Sequence, residues 1–455
     1  MSGTDISRRG FLVGSGALAA VGGVSAADSG EASRKTDAAP LIASAPMLQN
    51  PAPDSMGVAF AVSALANGFV EFSESPDLKD ARKVKCGGYR VTDMNDKVML
   101  VRLTGLKPAT TYYYRVGADR ISYQGGYRMR VLGTEVDPKV RAFTTSGPSA
   151  ASAFAVINDT HVQWKPFELA VEKAHALGAP VLVWNGDASN TQETIDSQVE
   201  IFLSPKIARC DYASEKGVLF CPGNHDSRGL ANRHLERVFM FRQPEERASR
   251  DWDLGRNFAF RQGDIALIGL DTAEDKLDSR DVFAGLFCSE PYREAQAKWL
   301  ADALERPDIK SAPYIVAFCH IPLYDPRPRA NPGDLRPNDQ SPDYDRDYAS
   351  WQRTCAKLWG PLFDKAGVQL VITAHQHCYR YDKAGDGRGW DQIVGGGPEL
   401  GVRTRWEGEK RVDTPAPERF PTVIEGRVEN GRLCVRVHDV CHNAVVGEFA
   451  YAPRA

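Results

Sequence analysis

The sequence predicts an α/β protein in which a layered α/β domain follows a small β-sandwich. Three observations predict it. From Ala153 onward, short apolar runs that read as buried strands alternate with stretches of helical periodicity. Ahead of them, from about Pro51, apolar residues come in short runs broken by turn signals such as Asn67-Gly68 and Thr104-Gly105. Polar, chemically useful residues follow all but one of the α/β strands immediately, where folds of this kind place their ligand crevice.

In chain order, Ser7-Arg8-Arg9-Gly10-Phe11-Leu12 precedes a mildly apolar Gly/Ala-rich run from Val13 to Val24, and Val24-Ser25-Ala26 supplies small residues for cleavage near Ala26 or Ala27. This is the pattern of a twin-arginine export signal, so residues 1–27 are read as a leader handled by the twin-arginine export machinery and the mature chain as periplasmic or secreted. That route carries folded proteins, often with a metal or cofactor already inserted. The run is too short for a comfortable membrane span, and no later stretch approaches spanning length. Residues 28–50 are small, polar and Pro-containing and read as a linker.

The segment 51–147 carries the strand runs Gly57–Phe72 and Val98–Leu103, then Leu106-Lys107-Pro108-Ala109-Thr110-Thr111-Tyr112-Tyr113-Tyr114, the spacing of a tyrosine corner, with a closing strand ending at Phe143-Thr144-Thr145. It resembles a fibronectin type III domain. In 150–455 the expected strands are Ala153–Ile157, Pro180–Trp184, Val218–Cys221, Ile265–Leu270, Tyr314–Phe318 and Gln369–Thr373, with helices over Lys165–Leu177 and Pro291–Leu304.

Composition narrows the function. With 56 basic and 59 acidic side chains among 455 residues, scattered rather than clustered, the chain carries no electrostatic signal for nucleic acid. Nine cysteines without a CxxC pair exclude a zinc ribbon and a small disulfide scaffold. Cys434 and Cys441 either bridge neighbouring strands or are buried thiols.

Five blocks stand at or just past strand ends: Asn158-Asp159-Thr160-His161, Asn185-Gly186-Asp187, Gly223-Asn224-His225-Asp226, Cys319-His320-Ile321-Pro322 and Ala374-His375-Gln376-His377. Each alone is a common cap or turn. Together they gather five of the nine histidines with carboxylates and Asn, a donor set suited to zinc, manganese or iron.

In order and composition the five blocks resemble the signature of the calcineurin-like metallophosphoesterases, and the sandwich before them resembles the N-terminal domain of purple acid phosphatases. The resemblance covers roughly Pro51 to the C-terminus. It implies an αββα sandwich with two divalent or mixed-valence metal ions (Zn, Mn or Fe) at one end of its sheets. Asp159, His161 and His377 would hold the first ion, Asn224, His320 and His375 the second, and Asp187 would bridge them. A phosphate ester, as small-molecule substrate, would be cleaved by a metal-bound hydroxide, with His225 protonating the leaving alkoxide. Either Asn190 or Asp226 would orient His225, and Arg228 would either reach a substrate phosphate or be salt-bridged.

Position 190 departs from the purple acid phosphatases, which have a metal-binding tyrosinate there. With Asn190 and His161 present, the first site resembles the Asp-x-His type of the wider family, leaving Asp159 and Asp187 as the only protein anions around two metals. The second catalytic His of those enzymes is also missing: Pro328-Arg329-Ala330-Asn331 stands in its place. Ala374 replaces a Gly, at little cost unless the backbone there needs positive φ. The segment Asp325–Tyr348, rich in Pro, Asp, Arg and Asn, reads as a long irregular loop, either a lid or a surface insertion. Monoesterase and diesterase are not separable by sequence, with the monoesterase favoured. A different class, a non-catalytic surface-binding protein with a vestigial metal domain, requires lost ligands, and none is missing.

Overall fold

The computed structural model describes residues 39–86, 94–241, 252–326, 342–407 and 410–454. The leader 1–27 with Arg8 and Arg9, and the stretch Pro328–Asn331 with Arg329, lie outside the described residues.

Two sheets lie face to face. The first has, among the described residues, nine strands in the spatial order Ala444–Tyr451, Arg432–Asp439, Thr422–Glu429, Ala153–Ile157, Val181–Asn185, Gly217–Cys221, Met47–Gln49, Ser55–Ala61 and Val98–Thr104. The second has six: Phe258–Gln262, Ile265–Leu270, Tyr314–Cys319, Leu370–Thr373, Asp391–Val394 and Arg380–Asp382. At the centre of each sheet the neighbouring strands run parallel, so their carboxyl ends gather at one edge.

Why these strands read as unbroken apolar runs follows from their burial on both faces. Along Ala153–Ile157, Phe154 and Val156 point between the sheets, against Leu267, Val316, Phe318 and Ile372. The alternate residues Ala155 and Ile157 point outward, against Phe167 and Val171 of the helix Trp164–Ala176. The second sheet repeats the arrangement: Ile268, Ile315 and Val371 pack outward with Leu300 of the helix Ser289–Glu305 and Trp359 of the helix Pro342–Ala366. These four layers, helix, sheet, sheet, helix, are the expected αββα sandwich.

The N-terminal sandwich packs a second sheet (Arg82–Lys85, Ala66–Ser73, Thr111–Tyr123, Met129–Val136, with Arg141–Thr144 beside Thr111–Tyr123) over the far end of the nine-stranded one. Val58, Phe60, Val70, Phe72, Tyr112 and Phe143 share its core. The tyrosine corner is Tyr112, whose hydroxyl accepts the backbone N–H of Lys107 at 3.0 Å.

Two boundaries differ from expectation. Structure begins ahead of Pro51: Met47–Gln49, inside the expected linker, is a fully buried strand pairing with both Gly217–Cys221 and Ser55–Ala61. Three residues are too few to show a period, so only the tertiary pairing reveals it. The expected loop Asp325–Tyr348 ends early, because Pro342, which the first turn of a helix tolerates, opens a helix that runs to Ala366. Cys434 and Cys441 are not bonded to each other.

Candidate metal centre

The five blocks converge at the gathered strand ends, and their backbones are unusual there. Asp159, His161, Asp187, His375 and His377 all adopt positive φ, between 46° and 68°. Left-handed backbone in a non-glycine residue costs on the order of 1–3 kcal/mol and persists only where its surroundings fix it. Here the loops fix one another. Asp159 N–H donates to Gly186 O at 3.1 Å, His161 N–H to Asp187 O at 3.0 Å and Val162 N–H to Ala188 O at 3.1 Å. Ala374 is absent from the positive-φ set, so a Cβ is harmless at that position.

The approach is close enough to demand glycine where the blocks meet. A Cβ on Gly186 would overlap the His320 ring, and one on Gly223 would overlap the Asp187 carboxylate.

Asp159, His161 and His377 form one group of converging donor atoms, and Asp187, His320 and His375 a second. His161 Nε2 lies 3.1 Å from His377 Nε2 and 3.5 Å from Asp187 Oδ2. His320 Nε2 lies 3.0 Å from Asp187 Oδ2 and 3.5 Å from Asp159 Oδ1, which is itself 3.4 Å from His377 Nε2. Asp187 Oδ2 thus faces both groups, while its Oδ1 accepts the His225 backbone N–H at 3.0 Å. Asn224 Oδ1 is 3.1 Å from His375 Nδ1.

Each ring nitrogen pointing away from this centre meets an oxygen. His161 Nδ1 is held by Asn190 Oδ1 at 2.9 Å, His320 Nδ1 by Asn185 O at 2.8 Å and His377 Nδ1 by Glu399 Oε1 at 3.0 Å. Asp275 Oδ2 stands 3.8 Å from His375 Nε2. Outward donation leaves the lone pairs of His161 and His377 facing each other beside two carboxylates, a repulsive arrangement unless cations or protons sit among them. Asp159 Oδ1 and His320 Nε2 are fully buried and make no well-aligned hydrogen bond among the described residues, although Asp187 and His377 stand close to them. The donor set, its orientation and these orphaned atoms fit two divalent cations.

Electrostatics point the same way. Burial disfavours a charged His320, but Asp187 and Asp159 outweigh it and push its pKa up to about 9. His377 likewise rises against burial to about 10 under Asp159 and Glu399. Burial and the neighbouring His320 push His375 down to about 3. The field that holds protons on two of these rings also attracts metal cations, with which those protons compete.

The groups expected to orient His225 act differently. The Asp226 carboxylate is taken up by the backbone N–H groups of Gly223 (2.9 Å) and Ala188 (3.1 Å), so it braces the loop instead of the ring. Burial and Asp187 raise its pKa to about 7. Asn190 does hold His225, but through its backbone carbonyl, 2.9 Å from Nδ1, because its side chain is engaged by His161. Arg228 is salt-bridged, its Nε and Nη2 each 2.8 Å from Glu274. Burial pushes the His225 pKa down, and Arg228 adds to this against the pull of Asp187.

Asp159 and Asp187 are the only carboxylates in the two donor groups, but two further anions lie behind them. Asp275 and Glu399 stand behind the imidazoles, Glu399 being also paired with Arg419 at 2.9 Å. Both were missed although both follow strands: Glu399 closes Gly395-Gly396-Gly397-Pro398-Glu399 after Asp391–Val394, and Asp275 follows Ile265–Leu270, the strand with no block assigned to it. Of the remaining histidines, His175 and His442 are exposed and His438 is buried 3.6 Å from Glu425.

Fold and site together define a metallophosphoesterase-type fold with two groups of residues that could each hold a metal ion. Comparison with known families agrees: residues 152–379 match the calcineurin-like phosphoesterase family, and residues 45–129 match the purple acid phosphatase N-terminal domain. The chain belongs to the calcineurin-like phosphoesterase family. Among solved structures it is similar to the purple acid phosphatase PPD1 from yellow lupin (Lupinus luteus) seeds, with 13% identity over 90% of this chain and 75% of that one and a TM-score of 0.57. It is similar also to PhoD, with 12% identity over 91% of this chain and 92% of that one and a TM-score of 0.59. At these identities the likeness is one of fold. No curated protein sequence gives a significant match.

Proposed function

We propose that this chain is an exported hydrolase of phosphate monoesters, dependent on two divalent or mixed-valence metal ions. The observation that carries the reading is the complete inward-facing donor set of Asp159, His161, Asp187, Asn224, His320, His375 and His377, with orphaned atoms at its centre. Bound there, the cations would supply Lewis acidity, lowering the pKa of water and neutralising phosphoryl oxygens. The chain's own residues do the rest. Hydrolysis joins a water oxygen to phosphorus and breaks the bond to the alcohol oxygen, which leaves as an alkoxide and needs a proton. His225 would give it as an imidazolium: its backbone N–H is anchored on Asp187 and its Nδ1–H donates to Asn190 O, so the second proton, on Nε2, is the one to pass to the alkoxide, leaving a neutral ring.

Completeness of the donor set weighs against a vestigial metal domain on a surface-binding protein. A diesterase is the second reading, since the same centre serves both ester classes. The test is His225→Ala against aryl and alkyl phosphates and their diesters. The variant should keep its metal and lose about 10²–10⁴ in rate on alkyl monoesters, whose leaving groups are poor. Parent-rate alkyl hydrolysis would refute the acid assignment, and faster turnover of diesters by the parent would favour the second reading.

A further inference from the structure

Arg228 has two commitments. Its Nε and Nη2 meet Glu274 Oε2 and Oε1, both at 2.8 Å, in a two-pronged salt bridge. Its Nη1 lies 3.1 Å from Nδ1 and 3.3 Å from Nε2 of His225. Glu274 is fully buried, and Asp275, 1% exposed, lies 3.5 Å from Nη2. Arg293, also buried, donates to the Glu274 backbone carbonyl. The guanidinium is therefore held in one orientation by a buried acid on the loop after Ile265–Leu270, and its remaining nitrogen rests on the His225 ring.

An arginine spent in this way cannot offer its fork to a phosphate, because the two nitrogens that would grip the oxygens already grip Glu274. The ring of His225 has its other fixed contact at Asn190 O. Asn190 O holds Nδ1 and the guanidinium nitrogen lies within 3.3 Å of both ring nitrogens, so the two contacts together leave the ring little freedom to turn.

We infer that Arg228, braced by Glu274, is a positioning residue that holds the His225 imidazole where the leaving oxygen departs, and that it is not a phosphate-binding residue. The inference rests on the reading of His225 as proton donor. Misplacing a catalytic group by about 1 Å costs on the order of 10²-fold, so losing the strut should slow turnover by about 10- to 100-fold where the proton matters.

A double-mutant cycle tests it, with Arg228→Ala, His225→Ala and the pair in the full chain, metal content checked by elemental analysis. Arg228→Ala should lower kcat on an alkyl phosphate, leave p-nitrophenyl phosphate nearly unaffected and leave KM unchanged. The double variant should be no slower than His225→Ala, and Arg228→Lys, lacking the fork, should not restore the rate. Multiplying effects, or a KM that rises equally on both substrates, would overturn the inference and indicate a phosphate contact. Should Arg228→Ala fail to fold, Glu274→Gln carries the same comparison. An unaffected His225→Ala would refute the proton-donor reading on its own. The strut is then judged by the His225 Hε1 resonance, which Arg228→Ala must shift or broaden; an unchanged signal sinks it.

Discussion

Glu399 is the residue whose removal should say most about how the centre is tuned. It holds His377 from behind at 3.0 Å and is itself held by Arg419. A carboxylate in that position fixes the ring and makes its other nitrogen a better donor, and losing one typically costs about 10–100-fold in metal affinity. Glu399→Gln should weaken binding at the first site by that order in a calorimetric titration. The proton count should change too. His377 is raised to about 10, so at pH 8 it carries a proton that an arriving cation must displace. Without the Glu399 charge its pKa falls toward the level that Asp159 alone maintains, so the pH at which proton release on metal binding dies away should move down. Equal affinity with an unchanged pH profile of proton release would show that Glu399 does not act on the metal. The candidate metal-ligating residues were legible in sequence because each follows an apolar strand in a recognisable block. Glu399, Glu274 and Asp275 were not, because a carboxylate four or five residues past a strand looks like any turn until the partner ring is in place.

At the scale of elements, the strands that carry the site were located to within about one residue, since burial on both faces writes them as unbroken apolar runs. What the sequence could not express was partnership. Met47–Gln49 is too short to announce itself, yet it joins the sandwich strands to the α/β sheet, and Gln49 is held by Val238 O and Met240 N–H. Likewise the helix from Pro342 was hidden by a start rich in Pro and Asp that reads as loop. The leader is the element whose role rests on sequence alone. We propose twin-arginine export on Arg8-Arg9 and the mild run after them, and replacing both with Lys should retain the protein in the cytoplasm on fractionation. Undiminished export of that variant would refute the route.

For the molecule as a whole, sandwich and α/β domain are continuous through one nine-stranded sheet, with Tyr114 Oη donating to Ser214 O across them at 2.6 Å. No helix among the described residues is long and apolar enough to cross a membrane. That frame presents seven candidate metal donors at one edge with no phenolate among them, because Asn190 braces His161 at the position where purple acid phosphatases have a tyrosinate. The additional anions Asp275 and Glu399 favour a higher cation charge, but neither can supply the phenolate charge-transfer band. The most direct measurement is elemental analysis with a visible spectrum, before and after oxidation, on the parent and on His161→Ala. The expected result is two metals per chain, no intense visible band in either oxidation state, and impaired first-site occupancy in the variant. A purple parent protein, or a variant that binds both metals with undiminished affinity, would contradict it.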